Sequence, residues 1–186
     1  MARIRAVKSR AAEPATASLG AFGGTVSPSE VLSHLLKLHN RLMAPFSEHL
    51  EKRFRISVNE FRLLMTVGRL GTTASHEVAD LTGVNTMAIS RAVAVLRRQR
   101  RIEASTDPDN RRRKTLRLTA AGKALYKQMT PTTEKVARYL LETLRPDEVM
   151  AFDRFVRALT EKLEARDEAG RSLFLERTRP KEANER

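Results

Sequence analysis

Apolar positions recur at helical spacing along most of the chain. The first such stretch runs from residue 31 onward, with apolar side chains every three or four positions at Val31, Leu35, Leu38, Leu42, Phe46 and Leu50. Ser27 is a predicted N-cap, Pro28 suits the first helical position, and Glu30 completes a capping box. The pattern therefore predicts a long helix, and Pro45 predicts a kink within it.

The two ends of the chain carry more apolar positions than the middle needs for its core. In the first helix further apolar residues broaden the stripe to nearly two faces, namely Leu32, Leu36 and Met43. A long helix after Thr119, interrupted near Pro131, leads to a last helix that begins at Pro146. That last helix has a coiled-coil-like 3-4-3-4 seam at Val149, Phe152, Val156, Leu159 and Leu163. A homodimer in which the first and last helices form the interface is the simplest explanation of these additional apolar positions.

Between these ends the pattern predicts three shorter helices. They cover residues 61–71, 76–81 and 86–100. The capping box from Ser57 to Glu60 begins the first, Gly83 ends the second, and Asn85 caps the third. Helix, tight turn and second helix match a helix-turn-helix, although helical hairpins are common and the bare pattern has low specificity.

After residue 100 the apolar period changes from helical to alternating. Residues 101–106 and 114–118 predict two short strands, and the Asp-Pro-Asp-Asn sequence between them is typical of a turn. A helix-turn-helix followed by a β-hairpin predicts a winged helix. The predicted fold class is mainly α, with a small β-hairpin wing and flanking N- and C-terminal helices that form a dimerisation region.

Charge narrows the class of partner. The chain has 186 residues, 41% of them hydrophobic, and a net charge of +13. Residues 91–117 contain ten cations and three anions, so this span holds over half of the excess charge. Such a concentration favours a polyanionic partner, because neutralised phosphates release counterions. A solvated charge run is the alternative explanation.

Residue types that are absent exclude other chemistry. The chain has no Cys, which excludes thiol redox sensing and thiolate metal sites, and no apolar run approaches the ~20 residues of a membrane helix. It also lacks the sequence signatures of serine hydrolases, P-loop proteins and zinc proteases. We therefore expect neither an enzyme nor a membrane protein.

The predicted organisation has five segments. They are a disordered basic arm (1–26), a dimerisation helix (27–56), a winged helix-turn-helix domain (57–118), C-terminal dimerisation helices (119–168) and a flexible tail (169–186). The basic, acid-poor start also resembles an organellar transit peptide, so that alternative stays open.

The chain resembles the MarR family of bacterial and archaeal transcription regulators. The sequence Asp107-Pro108-Asp109-Asn110-Arg111-Arg112-Arg113-Lys114, followed by Leu118-Thr119-Ala120-Ala121-Gly122, is similar to the family's wing and the motif after it. Ile89-Ser90-Arg91 resembles its recognition helix, and Ser57 to Arg62 the start of its second helix. The resemblance implies a transcription regulator, in all expectation a repressor, that binds double-stranded operator DNA as a homodimer. It also implies a cytoplasmic protein that is associated with the nucleoid when it is bound to DNA.

Two departures from the family pattern affect local geometry. Asn110 stands where the family usually has Asp, so we expect a less firmly oriented wing tip. Arg100 stands where the family commonly has Gly after the recognition helix. Because that Gly adopts a left-handed conformation, we expect the helix to run on slightly here.

The predicted DNA contacts divide into three groups. The recognition helix contributes Asn85, Thr86, Met87, Ser90, Arg91 and Arg97; the preceding helix start contributes Thr73 and Ser75; the wing contributes Arg111, Arg112 and Arg113. Arg112 is the predicted minor-groove side chain, since narrow A·T-rich grooves attract arginine. Asn85 as only a cap and Met87 as only a packing residue remain alternatives.

The resemblance also implies a small aromatic carboxylate or phenolic effector, and no cofactor. Possible contacts to it are His34, His39, Arg41 and Arg62. Metal sensing is the weaker hypothesis, because the four His are scattered and no site is predicted. The alternative function is a non-regulatory winged-helix protein that binds RNA or shapes DNA, which the absence of an aromatic RNA-recognition pattern disfavours.

Overall fold

The computed structural model describes residues 26–106 and 114–180 and has the predicted fold class. Its helices and strands follow in the order α1 (Pro28–Phe54), α2 (Val58–Leu70), β1 (Thr73–Ala74), α3 (Ser75–Thr82), α4 (Thr86–Arg98), β2 (Ile102–Thr106), β3 (Lys114–Leu118), α5 (Ala120–Leu141), α6 (Pro146–Glu164) and α7 (Leu173–Thr178). The described part is thus mainly helical with one small antiparallel sheet.

The chain divides into two units, residues 1–61 and 62–186. In the first unit, the predicted capping box at Ser27 is formed, and α1 continues through Pro45. The Phe46 ring meets the Phe61 ring edge-on, with 5.0 Å between centroids. Only Leu50 and Phe54 of α1 are buried, so most of its apolar stripe faces solvent in the single chain.

The second unit contains the winged helix and its core. Every element from α2 to α5 contributes at least one buried apolar side chain, among them Leu63, Leu64, Val67, Ala74, Val78, Ile89, Leu96, Ile102, Leu116, Leu118, Leu125 and Met129. Burial of such side chains is worth roughly 1.5–3 kcal/mol each relative to exposure. The amphipathic pattern of α2, α3 and α4 therefore buries one face of each of these helices in the core.

The sheet has three strands in the order β1-β3-β2, one more than the sequence predicts. In register, β2 pairs with β3 from Ile102↔Leu118 to Thr106↔Lys114. The additional strand β1 is only two residues long, and Thr73 pairs with Leu116. Two residues are too few for an alternating pattern, so only the pairing with β3 identifies this strand.

The predicted interruption of α5 near Pro131 is wrong. The helix extends without a break from Ala120 to Leu141, with Pro131 inside it. Leu125 and Met129 are buried just before the proline and fix the helix in place. Proline removes one backbone donor, which does not end a helix that tertiary packing holds on one side.

The end of α4 corrects a second expectation. The helix does not run on: it ends at Arg98, and Arg100 itself takes the left-handed conformation with φ +54°. The Arg101 amide donates to Leu96 O (2.8 Å) and the Arg100 amide to Arg97 O (2.9 Å), which is a Schellman motif. These bonds hold a non-glycine residue where the family commonly has glycine.

Thr119 joins the end of α4 to the start of α5. Its hydroxyl donates to Arg100 O (2.6 Å) and accepts from the Gly122 amide (3.2 Å), while its own amide donates to Arg101 O (3.1 Å). A Cβ on Gly122 would lie 2.0 Å from Arg101 O. The Leu-Thr-x-x-Gly sequence therefore has a physical reason: a cap, a joint and a close backbone approach.

The predicted flexible tail is wrong over residues 173–178, which form α7. Ser172 caps this helix, and Arg166 pairs with Ser172 in a β-bridge. The Arg171 amide donates to Asp167 (2.8 Å), and this hydrogen bond lowers the pKa of the Asp167 carboxyl. Local capping thus accompanies a helix in a segment that the sequence prediction assigned to the flexible tail.

Candidate nucleic-acid interface

Helix α4 has one buried face and one open face. Its buried side chains are Ala88, Ile89, Ala92 and Leu96. Leu96 and Ile89 are fully inaccessible to solvent, so they fix the helix against the core. The remaining face is therefore presented to solvent by a rigid scaffold.

The open face of α4 covers an arc of about 140° at 100° per residue. Its exposed residues are Thr86, Met87, Ser90, Arg91, Ala94, Arg97 and Arg98. Ala94 and Arg98 belong to this face although the sequence prediction left them out. Ala94 lies seven positions after Met87, and Arg98 lies seven positions after Arg91. Residues seven positions apart lie on the same face of a helix, and this spacing is the signal that identifies both.

The predicted base-reading residues differ in how they are held. Asn85 caps α4, because its Oδ1 accepts from the Ala88 amide at 2.8 Å. Met87 is 71% exposed, which rules out the alternative that it only packs within the chain. Thr86 and Ser90 are also exposed, so three short or flexible side chains surround the start of the helix.

Thr73 is not available for the predicted phosphate contact. Its side chain is buried, and its hydroxyl donates to Glu77 Oε2 at 2.8 Å. The same carboxylate accepts from the Ala74 amide at 2.8 Å, which caps α3. Ser75, the first residue of α3, is half-buried and remains a predicted contact.

The wing stem is held by cross-strand pairs on its outer face. Glu103 accepts a hydrogen bond from Arg117 across the β2–β3 pair, with 3.4 Å between Nη2 and Oε1. The Ser105 and Thr115 hydroxyls are 2.9 Å apart one step further out. The predicted wing contacts Arg111, Arg112 and Arg113, together with Asn110, lie outside the described residues.

Three arginines of α4 have no charged or hydrogen-bonding partner among the described residues. Arg91, Arg97 and Arg98 are exposed, and their side chains make no ion pair or hydrogen bond within residues 26–106 and 114–180. Solvated guanidinium groups on a rigid helix cost little to bring to a phosphate or a base edge. This face combines positive charge with a fixed geometry.

The predicted effector contacts do not form one cluster on α1. His34, His39 and Arg41 are all exposed on this helix. His34 and Arg41 share a face but are about 10 Å apart along the axis, and His39 lies about 140° away around the helix. Arg62 is half-buried on α2. In the part of the chain that the structure describes, no group of three or more His, Asp or Glu is arranged to hold a metal.

The apolar content of the helices and a comparison with known protein families bear on the identity of this interface. Among the described residues, no helix is long and apolar enough to cross a membrane. Residues 57–122 match the family model of a winged helix DNA-binding domain. No curated protein sequence matches the chain significantly.

Solved structures of transcription regulators have the same fold. A MarR/EmrR family regulator from Acinetobacter sp. ADP1 is 22% identical with a TM-score of 0.68, covering 73% of this chain and 96% of that chain. Bordetella bronchiseptica BpsR, whose DNA binding is regulated by 6-hydroxynicotinic acid, is 23% identical with a TM-score of 0.60, covering 70% and 99%. S. aureus MepR, solved as a DNA complex, is 18% identical with a TM-score of 0.62, covering 71% and 97%.

The matched domain spans the α4 face and the wing stem described above. These three proteins share the fold over nearly their whole length. The Acinetobacter protein is a transcription regulator, and BpsR and MepR bind DNA. The winged helix fold that the resemblance implies is confirmed. The chain therefore contains a region, residues 57–122, that matches a winged helix DNA-binding domain, and it has the fold of the MarR-family transcription regulators.

Proposed function

We propose that the protein is a sequence-specific transcription regulator that binds operator DNA through the open face of α4. The observation that carries this proposal is the division of α4 into a face buried in the core and a solvated, basic face. A helix of this kind fits the major groove, where its first turns meet base edges. The DNA complex of MepR, which has the same fold, supports it.

Base choice in this proposal comes from the first two turns of α4. Thr86 and Met87 contact thymine methyl groups, and Arg91 reaches a guanine or a phosphate. Arg97 and Arg98 contact phosphates further along the helix, which gives affinity without base choice. The wing continues the interface, with Arg112 in the adjacent minor groove and Arg111 and Arg113 on flanking phosphates.

A homodimer completes the proposed reader. On α1, exposed apolar residues include Val31, Leu32, Leu36 and Leu38, and on α6 they include Phe152, Phe155, Val156, Leu159 and Leu163. Exposed apolar surface on this scale marks an interaction site, and a second copy is the simplest partner. Two readers related by a two-fold axis require two half-sites about one DNA turn apart.

In this proposal the protein represses transcription while it is bound to its operator. Binding of a small aromatic or phenolic acid releases the protein from the DNA. Regulation of BpsR by 6-hydroxynicotinic acid supports the ligand class. His34 and Arg41 share a face of α1 and remain the proposed contacts on that helix. A cytoplasmic site of action follows from an operator partner.

A gel-shift series with one matched pair tests the DNA proposal. We expect Arg91→Ala to weaken binding to the protein's own upstream DNA roughly tenfold or more. Arg138→Ala removes the same charge from an exposed position on α5 and serves as the control. Equal binding by both variants and the parent at fixed salt would contradict the assignment of α4 as reader.

The wing is tested by Arg112→Ala in the same assay. We expect weaker binding to operators with an A·T-rich flank and a smaller loss where that flank is G·C-rich. DNase footprinting locates the operator beforehand. An unchanged affinity on both flanks would remove Arg112 from the interface.

The alternative function, a winged-helix protein that binds RNA or shapes DNA without an operator, predicts a different result. Such a protein would protect no defined site in the footprint and would bind duplex RNA or unrelated DNA equally well. A protected pseudo-palindrome would exclude this alternative.

A further inference from the structure

The capping residue of α4 has hydrogen-bonding capacity that the fold does not use. Asn85 Oδ1 accepts from the Ala88 amide at 2.8 Å, so the side-chain oxygen is occupied by the cap. The side-chain nitrogen carries two N–H donors. Asn85 is exposed, and within residues 26–106 and 114–180 its side chain makes no other hydrogen bond. The cap therefore leaves two donors open to an acceptor outside the chain.

The buried part of α4 fixes this side chain in place. The Asn85 carbonyl accepts from the Ile89 amide at 3.2 Å, and Ile89 is fully buried. Ala88, whose amide holds the side-chain oxygen, is also buried. Because both anchors belong to the core, the two donors need little reordering when an acceptor arrives.

The capping bond also decides which base edge this side chain can read. An asparagine that reads adenine uses both of its groups, since its oxygen accepts from N6 and its nitrogen donates to N7. Asn85 cannot do this while its oxygen caps the helix. A group that only donates fits the keto oxygens of the major groove, guanine O6 and thymine O4, and offers no acceptor to the amino groups of cytosine and adenine.

The rest of α4 has the same bias toward donors. Residues 86–98 contain no Asp, Glu, Asn or Gln. The exposed arginines of this helix only donate, and the hydroxyl groups of Thr86 and Ser90 can donate as readily as they accept. The helix therefore offers no carboxylate or amide oxygen to an amino group of a base.

We propose that Asn85 both caps α4 and determines base specificity, with its side-chain amide donating to a keto oxygen of guanine or thymine in the major groove. This inference rests on the proposed function, because it assigns a contact within that interface. Asn85 directly precedes Thr86 and Met87, so its donors lie at the end of the helix that meets base edges. A neutral amide also lacks the charge with which arginines attract phosphates.

Two variants that each change an amide into a carboxylate test the assignment. Asn85→Asp keeps an oxygen for the cap and replaces the two donors by an acceptor. Gln99→Glu makes the same chemical change at the exposed far end of α4 and is the matched control. DNase footprinting first locates the operator. Each protein is then titrated against duplexes in which every base pair of the half-site is replaced in turn by the other three.

The expected result is a reversed preference at one base pair. The parent should prefer guanine or thymine over cytosine or adenine at one position of the contacted strand. In Asn85→Asp this preference should reverse at that position alone, and binding to the parent operator should be roughly tenfold weaker than that of Gln99→Glu. Gln99→Glu should weaken binding to all duplexes by a similar factor, because added negative charge repels phosphates whatever the sequence.

A third variant separates the cap from the base contact. Asn85→Ser keeps a capping oxygen on a shorter side chain, so it should lose the base preference without reversing it. Thermal melts of all three variants verify that α4 remains folded.

Two results would overturn the assignment and leave the proposed function in place. Uniform weakening by Asn85→Asp, in the pattern of Gln99→Glu, would show a contact with phosphate instead of a base. Operator binding and base preference equal to those of the parent would show that Asn85 is only a cap. A parent protein that protects no site in the footprint would reject the proposed function, and this inference with it.

Discussion

Helices α4 and α6 are both amphipathic, but the single chain buries the apolar face of α4 and leaves that of α6 exposed. α4 buries four apolar side chains, including Ile89 and Leu96, and exposes its polar and basic face. α6 buries none, although Phe152, Leu159 and Leu163 share one side of it. The apolar face of α4 is buried within the winged helix, whereas that of α6 is exposed in the single chain. An apolar stripe on a helix therefore does not by itself tell whether the same chain buries that face.

The largest expected effect separates these two helices directly. Leu96→Ala should lower the free energy of unfolding by about 3 kcal/mol, because it opens a cavity in a packed core. Leu163→Ala removes the same atoms from a side chain that is 56% exposed and serves as the matched control. Chemical denaturation at a protein concentration low enough to keep the chain monomeric measures both, because association would add to the apparent stability. Equal losses would show that α6 is as well packed within one chain as α4.

The second prediction tests what covers α6. Leu159→Glu should weaken self-association roughly hundredfold (about 2.7 kcal/mol), since a two-fold interface brings the new charge in twice. Ala158→Glu adds the same charge at another exposed position and should leave association nearly unchanged. Sedimentation across a concentration series gives both constants. A parent protein that stays monomeric at micromolar concentration would contradict the proposed dimer.

The close approach behind α4 gives the third prediction. Gly122→Ala should cost about 2 kcal/mol, because the new Cβ would lie 2.0 Å from Arg101 O and the backbone must shift. Ala121→Ser changes the exposed neighbouring position by one atom and is the control. Thermal unfolding of the two variants measures the difference. A G122A protein as stable as the control would mean that α5 moves freely relative to β2.

The end of α4 gives a smaller effect of opposite sign. Arg100→Gly should raise the free energy of unfolding by about 0.5–1 kcal/mol, because glycine takes the left-handed conformation without a Cβ clash. The gain is partial, since glycine also increases the entropy of the unfolded chain. Arg98→Gly, two residues earlier and in helical conformation, should be destabilising instead. Denaturant midpoints with unchanged slopes would establish the comparison.

The smallest effect concerns the turn that follows α6. The Arg171 amide lowers the pKa of Asp167, so the folded turn favours the carboxylate form. Its contribution is fully present above the ordinary pKa of aspartate, about 4, and is lost as the pH falls through the lowered folded value. The protection of the α7 amides, measured relative to their intrinsic exchange rates, should therefore fall at acid pH in the parent and already be low in Asp167→Ala. Exchange in the parent that follows only the intrinsic rate would contradict this role.

The winged helix could be predicted because its signals are local. Capping residues such as Ser27 and Asn85 accept backbone amides three positions away, and the structure forms both caps. The hairpin follows from a change of period around residue 101, and its register is continuous from Ile102↔Leu118. Each of these signals lies within a few residues of the geometry that it specifies.

The wrong predictions share a different physical origin. Thr73 belongs to β1 only because Leu116 pairs with it from far along the chain, and that pairing buries its side chain. Pro131 does not end α5, because Met129 is anchored in the core. Arg100 adopts a left-handed conformation because Leu96 and Thr119 both bond to this turn. Leu116 and Thr119, and the core that surrounds Met129, lie outside a short window of neighbouring residues.

The sequence by itself determined the helices, the hairpin, the concentration of charge and the class of nucleic-acid reader. These features depend on periodicity, capping and composition, which are properties of neighbouring residues. Only the tertiary structure decided that the Thr73 hydroxyl is buried, that α5 continues through Pro131, and that Arg100 takes a left-handed conformation. Those facts depend on contacts between residues distant in the chain, and burial and close approach exist only once the core has formed.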